Sequence, residues 1–163
     1  MLSKPIHLAL IFCCLVAPLS RAQVPVTANA DHEAMLASPD PKLAANKRLV
    51  YDFFREVLIP EHIELAPKYL TESYVQHNPE VPTGLAGFVA HFGPKSQPIP
   101  INPKLDMPVV SIVAEGDLVV ISFAAKRPNP SDATKKYTTT WFDMFRIENN
   151  KIAEHWDGAT LKK

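Results

Sequence analysis

Asp157 and His77 are the side chains of this sequence that best suit proton transfer. In the hairpin predicted near Asp157, this carboxylate faces Phe142 and lies close to Met144. A carboxylate among apolar side chains is either satisfied by a partner or held ready to exchange a proton, because burial disfavours its charged form. Asp157 is therefore predicted to be a general base that removes a proton next to a carbonyl and later returns it as an acid.

Both residues also have a structural interpretation, and the sequence leaves it open. Asp157 could cap the end of a strand or accept hydrogen bonds from a loop. His77 could polarise a substrate carbonyl or share a proton with Asp157, or it could fix the turn at Asn78-Pro79. His155 falls on the same strand face as Asp157, but the two are two positions apart along the strand. We therefore expect His155 near the sheet edge or solvent.

Aromatic and apolar residues near these positions are candidates for contact with a substrate. Tyr74, Trp141 and Trp156 could equally pack in the core or in a dimer. Asp143 is expected opposite Trp156, where a hydrogen bond to the indole N–H would explain it. The predicted substrate-binding residues are Tyr74, Phe88, Phe92, Trp141, Phe142 and Met144.

A predicted β-hairpin over Lys136–Asp157 must position these groups. Residues that favour strands fill its arms, and Asn149-Asn150 can adopt the left-handed conformation of a two-residue turn. Counting outward from that turn gives the register. It pairs Glu148 with Lys151, Ile147 with Ile152, Phe145 with Glu154, Asp143 with Trp156 and Phe142 with Asp157.

Helices are predicted before the hairpin, and further strands lead into it. The apolar spacing predicts helices over Lys42–Leu58 and Glu61–Leu70, and a third helix that Thr83 caps and Gly93-Pro94 ends. Two strands follow, over Val109–Ala114 and Leu118–Lys126. Helices followed by antiparallel strands are typical of an α+β domain with helices on one face of a sheet.

The N-terminal residues 1–22 have the features of a secretory signal peptide. Lys4 is followed by an apolar run from Ile6 to Leu19, and Ser20-Arg21-Ala22 is suited to cleavage after Ala22. We therefore expect a secreted or periplasmic protein with no membrane segment after cleavage. Residues 23–41 are predicted to be a flexible leader, and residues 42–163 to form the domain.

The composition after cleavage excludes several classes of protein. The cysteines, Cys13 and Cys14, both lie in the predicted signal, so the mature chain has no disulfide, thiol nucleophile or thiolate metal site. The full chain has 17 basic and 17 acidic residues. The signal contains the basic residues Lys4 and Arg21 and no acidic residue, so the mature chain has 15 basic and 17 acidic residues and a net charge of −2. No basic run with interleaved aromatics suggests a nucleic-acid partner. No histidine or carboxylate spacing predicts a metal site.

Two segments resemble a known family. They are YVQHNPEVPTGLAGFVAHF and FDMFRIENNKIAEHWDG, and the resemblance covers about Lys42–Thr160. Both look like the SnoaL-like polyketide cyclase branch of the nuclear transport factor 2-like superfamily. The resemblance implies a cystatin-like, cone-shaped fold in which a curved antiparallel sheet wraps around N-terminal helices and a deep apolar pocket. It also implies a homodimer.

The resemblance further implies chemistry without metal or organic cofactor. Members of the superfamily include aldol cyclases, ketosteroid isomerases, dehydratases and epoxide hydrolases, as well as proteins that bind without catalysing. Asp157 matches the family's acid/base aspartate, and His77 matches a histidine at the cavity mouth. Two hypotheses follow: an enzyme that performs acid/base chemistry on a small apolar carbonyl compound, and a non-catalytic protein that binds a small molecule.

Overall fold

The computed structural model describes residues 23–161. The predicted signal peptide, residues 1–22, lies outside the described residues. Within the described range, no helix has both the length and the apolar character needed to cross a membrane.

The longest helix, α2, runs over Pro41–Phe53 and continues as a π-helical turn over Phe54–Leu58. The carboxylate of Asp40 caps its N-terminus by accepting the N–H groups of Lys42 and Leu43, and Pro41 occupies the first turn, where a missing N–H costs little. In the π turn the N–H of Ile59 reaches back five residues to the carbonyl of Phe54. Both Phe53 and Phe54 are consequently buried.

The remaining helices are short. Helix α1 covers His32–Leu36, α3 covers Ala66–Tyr69, and α4 covers Leu85–Phe92. Gly84 caps α4 with a φ of 84°, a conformation that suits glycine, so the prediction of a Thr83 cap is wrong. The hydroxyl of Thr83 instead accepts the N–H of Gln76 at 2.9 Å and lies 3.3 Å from the carbonyl of Tyr74.

The sheet has five strands in the order β1-β5-β4-β3-β2. Strand β1 is Leu70–Gln76, β2 is Val109–Glu115, β3 is Leu118–Asn129, β4 is Asp132–Glu148 and β5 is Lys151–Asp157. The sheet is curved and does not close, and helices precede most of it in the chain. This arrangement confirms the predicted α+β class. Neighbouring strands are antiparallel except β1 and β5, which run parallel, so the expected antiparallel sheet has one parallel pair at its edge.

The β4–β5 hairpin contains a bulge that changes which residues share a face. The turn at Asn149 and Asn150 has positive φ at both residues, and the predicted pairs Ile147–Ile152 and Glu148–Lys151 are present. Arg146 then pairs with Glu154, which leaves Ala153 as an extra residue. The predicted register is therefore wrong beyond Ile147. The observed pairs are Phe145 with His155, Met144 with Trp156 and Asp143 with Asp157.

The segment predicted as a flexible leader contains an ordered part that packs on the domain. Residues 32–36 form α1, and the buried His32 places Nδ1 2.7 Å from the hydroxyl of Tyr51 on α2. The N–H of Asn29 donates to the carbonyl of Val109 at the start of β2. A buried lysine, Lys47, donates to the carbonyls of Met35 and Ala37. These contacts join residues 29–37 to α2 and the sheet.

Candidate active site

A partly open cavity lies between α2, α4 and one end of the sheet. Its volume is about 160 Å³. A larger depression of about 640 Å³ lies elsewhere, between residues 28–32 and 102–107. We place the candidate site in the smaller cavity because it combines apolar walls with a group of carboxylates and a histidine. Its aromatic walls are Phe53, Phe54, Tyr74, Phe88, Phe92 and Phe145.

The polar end of the cavity is formed by Asp143, His155 and Asp157. Asp143 and His155 are buried, and Asp157 is half-buried. The Nε2 atom of His155 lies 3.0 Å from Oδ1 of Asp143. Donor atoms of all three side chains lie within 4.8 Å of one another, so these are the described residues that could hold a metal ion. The prediction of a site without a metal stays a prediction.

The proton on His155 can be located from its neighbours. The backbone N–H of Asn78 donates to Oε1 of Gln76 at 2.9 Å, and this fixed donor determines that Oε1 is the oxygen of the amide. The same oxygen lies 2.8 Å from Nδ1 of His155, so Nδ1 must carry a proton and donate it. A single further proton then lies between Nε2 of His155 and Asp143. The pair is a charged imidazolium with a carboxylate, or a neutral imidazole with a carboxylic acid.

Asp157 is held by neutral donors. Its Oδ2 accepts the side-chain amide of Asn78 at 2.8 Å, and its Oδ1 accepts the backbone N–H of Ala159 at 2.9 Å. Within residues 23–161, no lysine or arginine forms an ion pair with this carboxylate. Each oxygen keeps a second lone pair, so Asp157 can still accept a proton or a ligand's hydrogen bond.

Tyr74 provides a hydroxyl group inside the cavity wall. Its oxygen accepts Nε2–H of Gln76 at 3.0 Å, and no described residue accepts the hydroxyl's own proton. Burial raises the pKa of the Tyr74 phenol, and the negative charges of Asp157 and Asp143 raise it further. The phenol therefore keeps its proton across the physiological range and can donate it in a hydrogen bond to a ligand.

The structure brings together some of the predicted site residues and separates others. Asp157, Tyr74, Phe88 and Phe92 line the cavity. Trp141 packs against the core cluster without lining the cavity. Phe142 and Met144 alternate with Asp143 and Phe145, which places them on the outer face, where Phe142 is 57 % exposed.

His77 does not share the cavity with Asp157, which corrects the predicted pairing of these two residues. Its Nε2 lies 2.7 Å from Oε1 of Glu154, and its ring stacks on Trp156 with centroids 5.1 Å apart. His77 follows the end of β1 and points to the opposite side of the sheet from Gln76, because side chains alternate along an extended segment. The neighbour on the other side, Asn78, is the one that contacts Asp157.

Sequence reasoning missed four polar residues of the site: Gln76, Asn78, Asp143 and His155. Asp143 does not contact the Trp156 indole as expected, because the bulge at Ala153 places it opposite Asp157. The same shift buries His155, which was expected near solvent. A usable signal was present in the segment Gln76-His77-Asn78, where alternation requires Gln76 and Asn78 to share a face.

Residues 50–155 match the family model described as a SnoaL-like domain. None of the curated proteins matches.

Solved structures show the same architecture. A protein of Jannaschia sp. CCS1, described as a candidate SnoaL-like polyketide cyclase, has 14 % identity and a TM-score of 0.51, and the match covers 75 % of this chain and 91 % of that one. An epoxide hydrolase of the LEH-like type from M. tuberculosis has 14 % identity and a TM-score of 0.50, with 72 % and 84 % covered. At these identities the similarity establishes the fold alone.

Proposed function

The chain belongs to the SnoaL-like family, and on that premise we propose that it is an enzyme that moves a proton on a small apolar carbonyl compound. Asp157 is the proposed general base and acid. The observation that carries the proposal is that Asp157 faces an aromatic cavity and has no lysine or arginine partner within residues 23–161, next to a histidine–aspartate pair that shares a proton. Aldol condensation, isomerisation and dehydration all begin with the step that this arrangement supports.

In that step a lone pair of Asp157 takes the proton from the carbon next to the carbonyl, and negative charge develops on the carbonyl oxygen. The Tyr74 hydroxyl is the proposed donor to this oxygen, since its own proton is available to a ligand. Asp157 then returns the proton to another carbon in an isomerisation, or to a departing hydroxyl in a dehydration. The carboxylate and the phenol suffice for this chemistry, so we propose it without a cofactor.

The cavity volume limits the size of the substrate. An engineered protein cavity of about 150 Å³ binds benzene, and the cavity described above has about 160 Å³. A compound with a single ring therefore fits without movement of the walls. A polycyclic polyketide would require the aromatic side chains to move, so we propose a monocyclic or short-chain carbonyl substrate.

A non-catalytic binding protein is the second candidate. It is favoured by the hydrogen bonds that both oxygens of Asp157 already accept from Asn78 and Ala159, because these two donors hold the carboxylate in a fixed orientation. In that case Asp157 would anchor a polar group of the ligand while the aromatic walls bury the rest.

Hydrogen exchange at the carbon next to a ketone distinguishes the two candidates. Cyclohexanone in D₂O would be followed by NMR with wild-type protein, Asp157→Asn, and Asp106→Asn as a matched control at an exposed carboxylate. An enzyme accelerates exchange, loses about 100-fold or more of that acceleration in Asp157→Asn, and is unchanged in Asp106→Asn. Ketone binding without accelerated exchange would exclude the enzyme and leave the binding protein.

We also propose that the protein is exported through the signal peptide predicted over residues 1–22. Sequencing the N-terminus of the protein recovered from the periplasm or the medium tests this. We expect the mature chain to begin at Gln23. An intact Met1 in the recovered protein would contradict the proposal.

A homodimer formed through the outer face of the sheet is proposed as well. Val113, Val120, Met144 and Trp156 pair laterally in one row across four strands of that face, and Phe142 lies beside the row. Val113 and Phe142 are each 57 % exposed, which supports contact with a second copy.

Light scattering tests the dimer. It should give a dimer for wild-type protein and for Ser131→Lys, and a monomer for Phe142→Lys. A monomeric wild-type protein would rule the dimer out.

A further inference from the structure

The cavity has an unusual balance of charge. Among the described residues that line it, none is a lysine or an arginine, whereas two are aspartates. Its other polar side chains are Gln76, Asn78, Tyr74 and His155, and only His155 can become positive. An anionic substrate would therefore find no side chain with a permanent positive charge to pair with.

Counting protons gives the charge of the site. His155 carries a proton on Nδ1, and one more proton lies between its Nε2 and Asp143, so this pair is neutral in either arrangement. Asp157 has only neutral donors, Asn78 and Ala159. With Asp157 ionised, the site has one negative charge without a charged partner. A half-buried charge without a charged partner is stabilised by a ligand of opposite sign.

The walls of the cavity are also suited to a cation. Five phenylalanines line it, at positions 53, 54, 88, 92 and 145, together with Tyr74. The faces of aromatic rings are electron-rich and attract a cation that approaches within about 6 Å, most strongly where water is excluded. A carboxylate surrounded by such rings binds an ammonium group better than it binds a neutral group of the same shape.

We infer that the cavity selects small ligands that carry one positive charge, such as a protonated amine, with the ammonium group at Asp157 and the hydrocarbon part among the phenylalanines. The inference rests on the pocket assigned in the proposed function and names its substrate class as amino carbonyl compounds. A neighbouring ammonium group withdraws electrons and makes the C–H next to a carbonyl more acidic.

Matched ligands test the inference on the wild-type protein. Cyclohexylamine, which is protonated at neutral pH, cyclohexanol and cyclopentanecarboxylate are similar in size and differ in charge. Calorimetric titration should show the amine binding about tenfold more tightly than the alcohol, with no measurable binding of the carboxylate. An alcohol that binds as tightly as the amine, or a carboxylate that binds most tightly, would overturn the inference.

The Asp157→Asn variant locates the source of the preference. With the charge removed, the amine and the alcohol should bind with about equal affinity, whereas Asp106→Asn should keep the wild-type ratio. A tenfold preference that persists in a folded Asp157→Asn variant would place the cation elsewhere and contradict the inference. If Asp157→Asn does not fold, the wild-type comparison of the three ligands still decides.

The outcome is separable from that of the proposed function. Exchange of the neutral ketone cyclohexanone tests catalysis without an ammonium group, and amine binding tests charge selection without catalysis. Selective amine binding with no exchange of cyclohexanone or of an amino ketone would reject the enzyme and keep the cation site. Exchange of cyclohexanone with no preference for the amine would keep the enzyme and reject the cation site.

Discussion

The imidazole of His155 lies 3.0 Å from the carboxylate of Asp143, and both side chains are only 10 % exposed. The two residues lie on neighbouring strands, and they share a face because Ala153 is an extra residue in β5. If the shared proton lies on His155, removing either partner leaves an unpaired buried charge, and if it lies on Asp143, removing either partner leaves an unpaired buried polar group. The pair can therefore be tested through stability independently of any ligand.

In the ion-pair arrangement, His155→Gln should destabilise the fold by about 3 kcal/mol, because it leaves the Asp143 carboxylate buried without its charged partner. The double variant with Asp143→Asn should regain part of this loss, since the unpaired charge is then gone. Urea denaturation of the single and double variants measures both effects. The matched control is His77→Gln, whose half-exposed contact with Glu154 should contribute less than about 1 kcal/mol. A double variant whose loss equals the sum of the single losses would contradict the shared proton.

Gln76 should determine which nitrogen of His155 carries the proton. In wild-type protein ¹⁵N NMR should show Nδ1 protonated, because Gln76 Oε1 is fixed by the N–H of Asn78 and can only accept. Gln76→Leu removes the acceptor, so the preference for the Nδ1–H form should decrease. Gln76→Glu keeps an oxygen acceptor at this position, so the preference for a proton on Nδ1 should persist. An unprotonated Nδ1 in the wild-type ring would contradict this assignment.

Tyr74→Phe should reduce the exchange of cyclohexanone about 100-fold, if the hydroxyl stabilises charge on the carbonyl oxygen. The dissociation constant of the ketone should change much less, because the ring that lines the cavity is retained. Tyr137→Phe is the control, since Tyr137 is 41 % exposed and far along β4 from the cavity. Equal exchange rates for Tyr74→Phe and wild-type protein would remove Tyr74 from the mechanism.

His32 should make the fold less stable as the pH falls below about 6.5. Burial lowers the pKa of His32 from the ordinary value of 6.5, and the positive charge of Lys104 lowers it further. The unfolded chain therefore binds a proton at a higher pH than the fold does. The free energy of unfolding therefore decreases as the pH falls from 6.5 to the lowered pKa of His32. Below that pKa both states are protonated, and the loss of stability stays constant.

Denaturation midpoints between pH 7.5 and pH 5 measure this effect. The decrease should be smaller in His32→Gln, which cannot titrate but can still accept the Tyr51 hydroxyl. His77→Gln is the matched control for loss of an exposed histidine and should keep more of the wild-type slope. Identical slopes for wild-type protein and His32→Gln would contradict the prediction.

The predictability of the fold differed between elements for physical reasons. Helix α2 begins at Pro41, one residue before the predicted start. It could be predicted this closely because apolar spacing and a proline in the first turn are signals that lie within the helix itself. The turn at Asn149-Asn150 was predictable because few residues accept positive φ. The bulge was not, since Ala153 is small and buried and carries no signal that distinguishes a regular strand from an irregular one.

The candidate site was predictable only where it did not depend on that bulge. Phe88 and Phe92 were found through their helical spacing. Asp157 was chosen for a wrong reason, because the predicted register placed it opposite Phe142, which lies on the outer face of the sheet. Asp143 and His155 were assigned to wrong positions because a shift by one residue moves every following side chain of β5 relative to β4. Alternation places Gln76 and Asn78 on one face, but their partners on β5 follow from the pairing of β1 with β5, which the sequence does not predict.

The parallel pairing of β1 with β5 has a consequence for how the protein is made. Gln76 and His155 are 79 residues apart in sequence, as are Asn78 and Asp157. Contacts this distant require closure of a long loop, and such contacts form slowly. We expect the ladder of β2, β3 and β4 to form first and the acid/base groups to assemble last. A chain released from the ribosome before its final strand would have most of the aromatic walls and no working site.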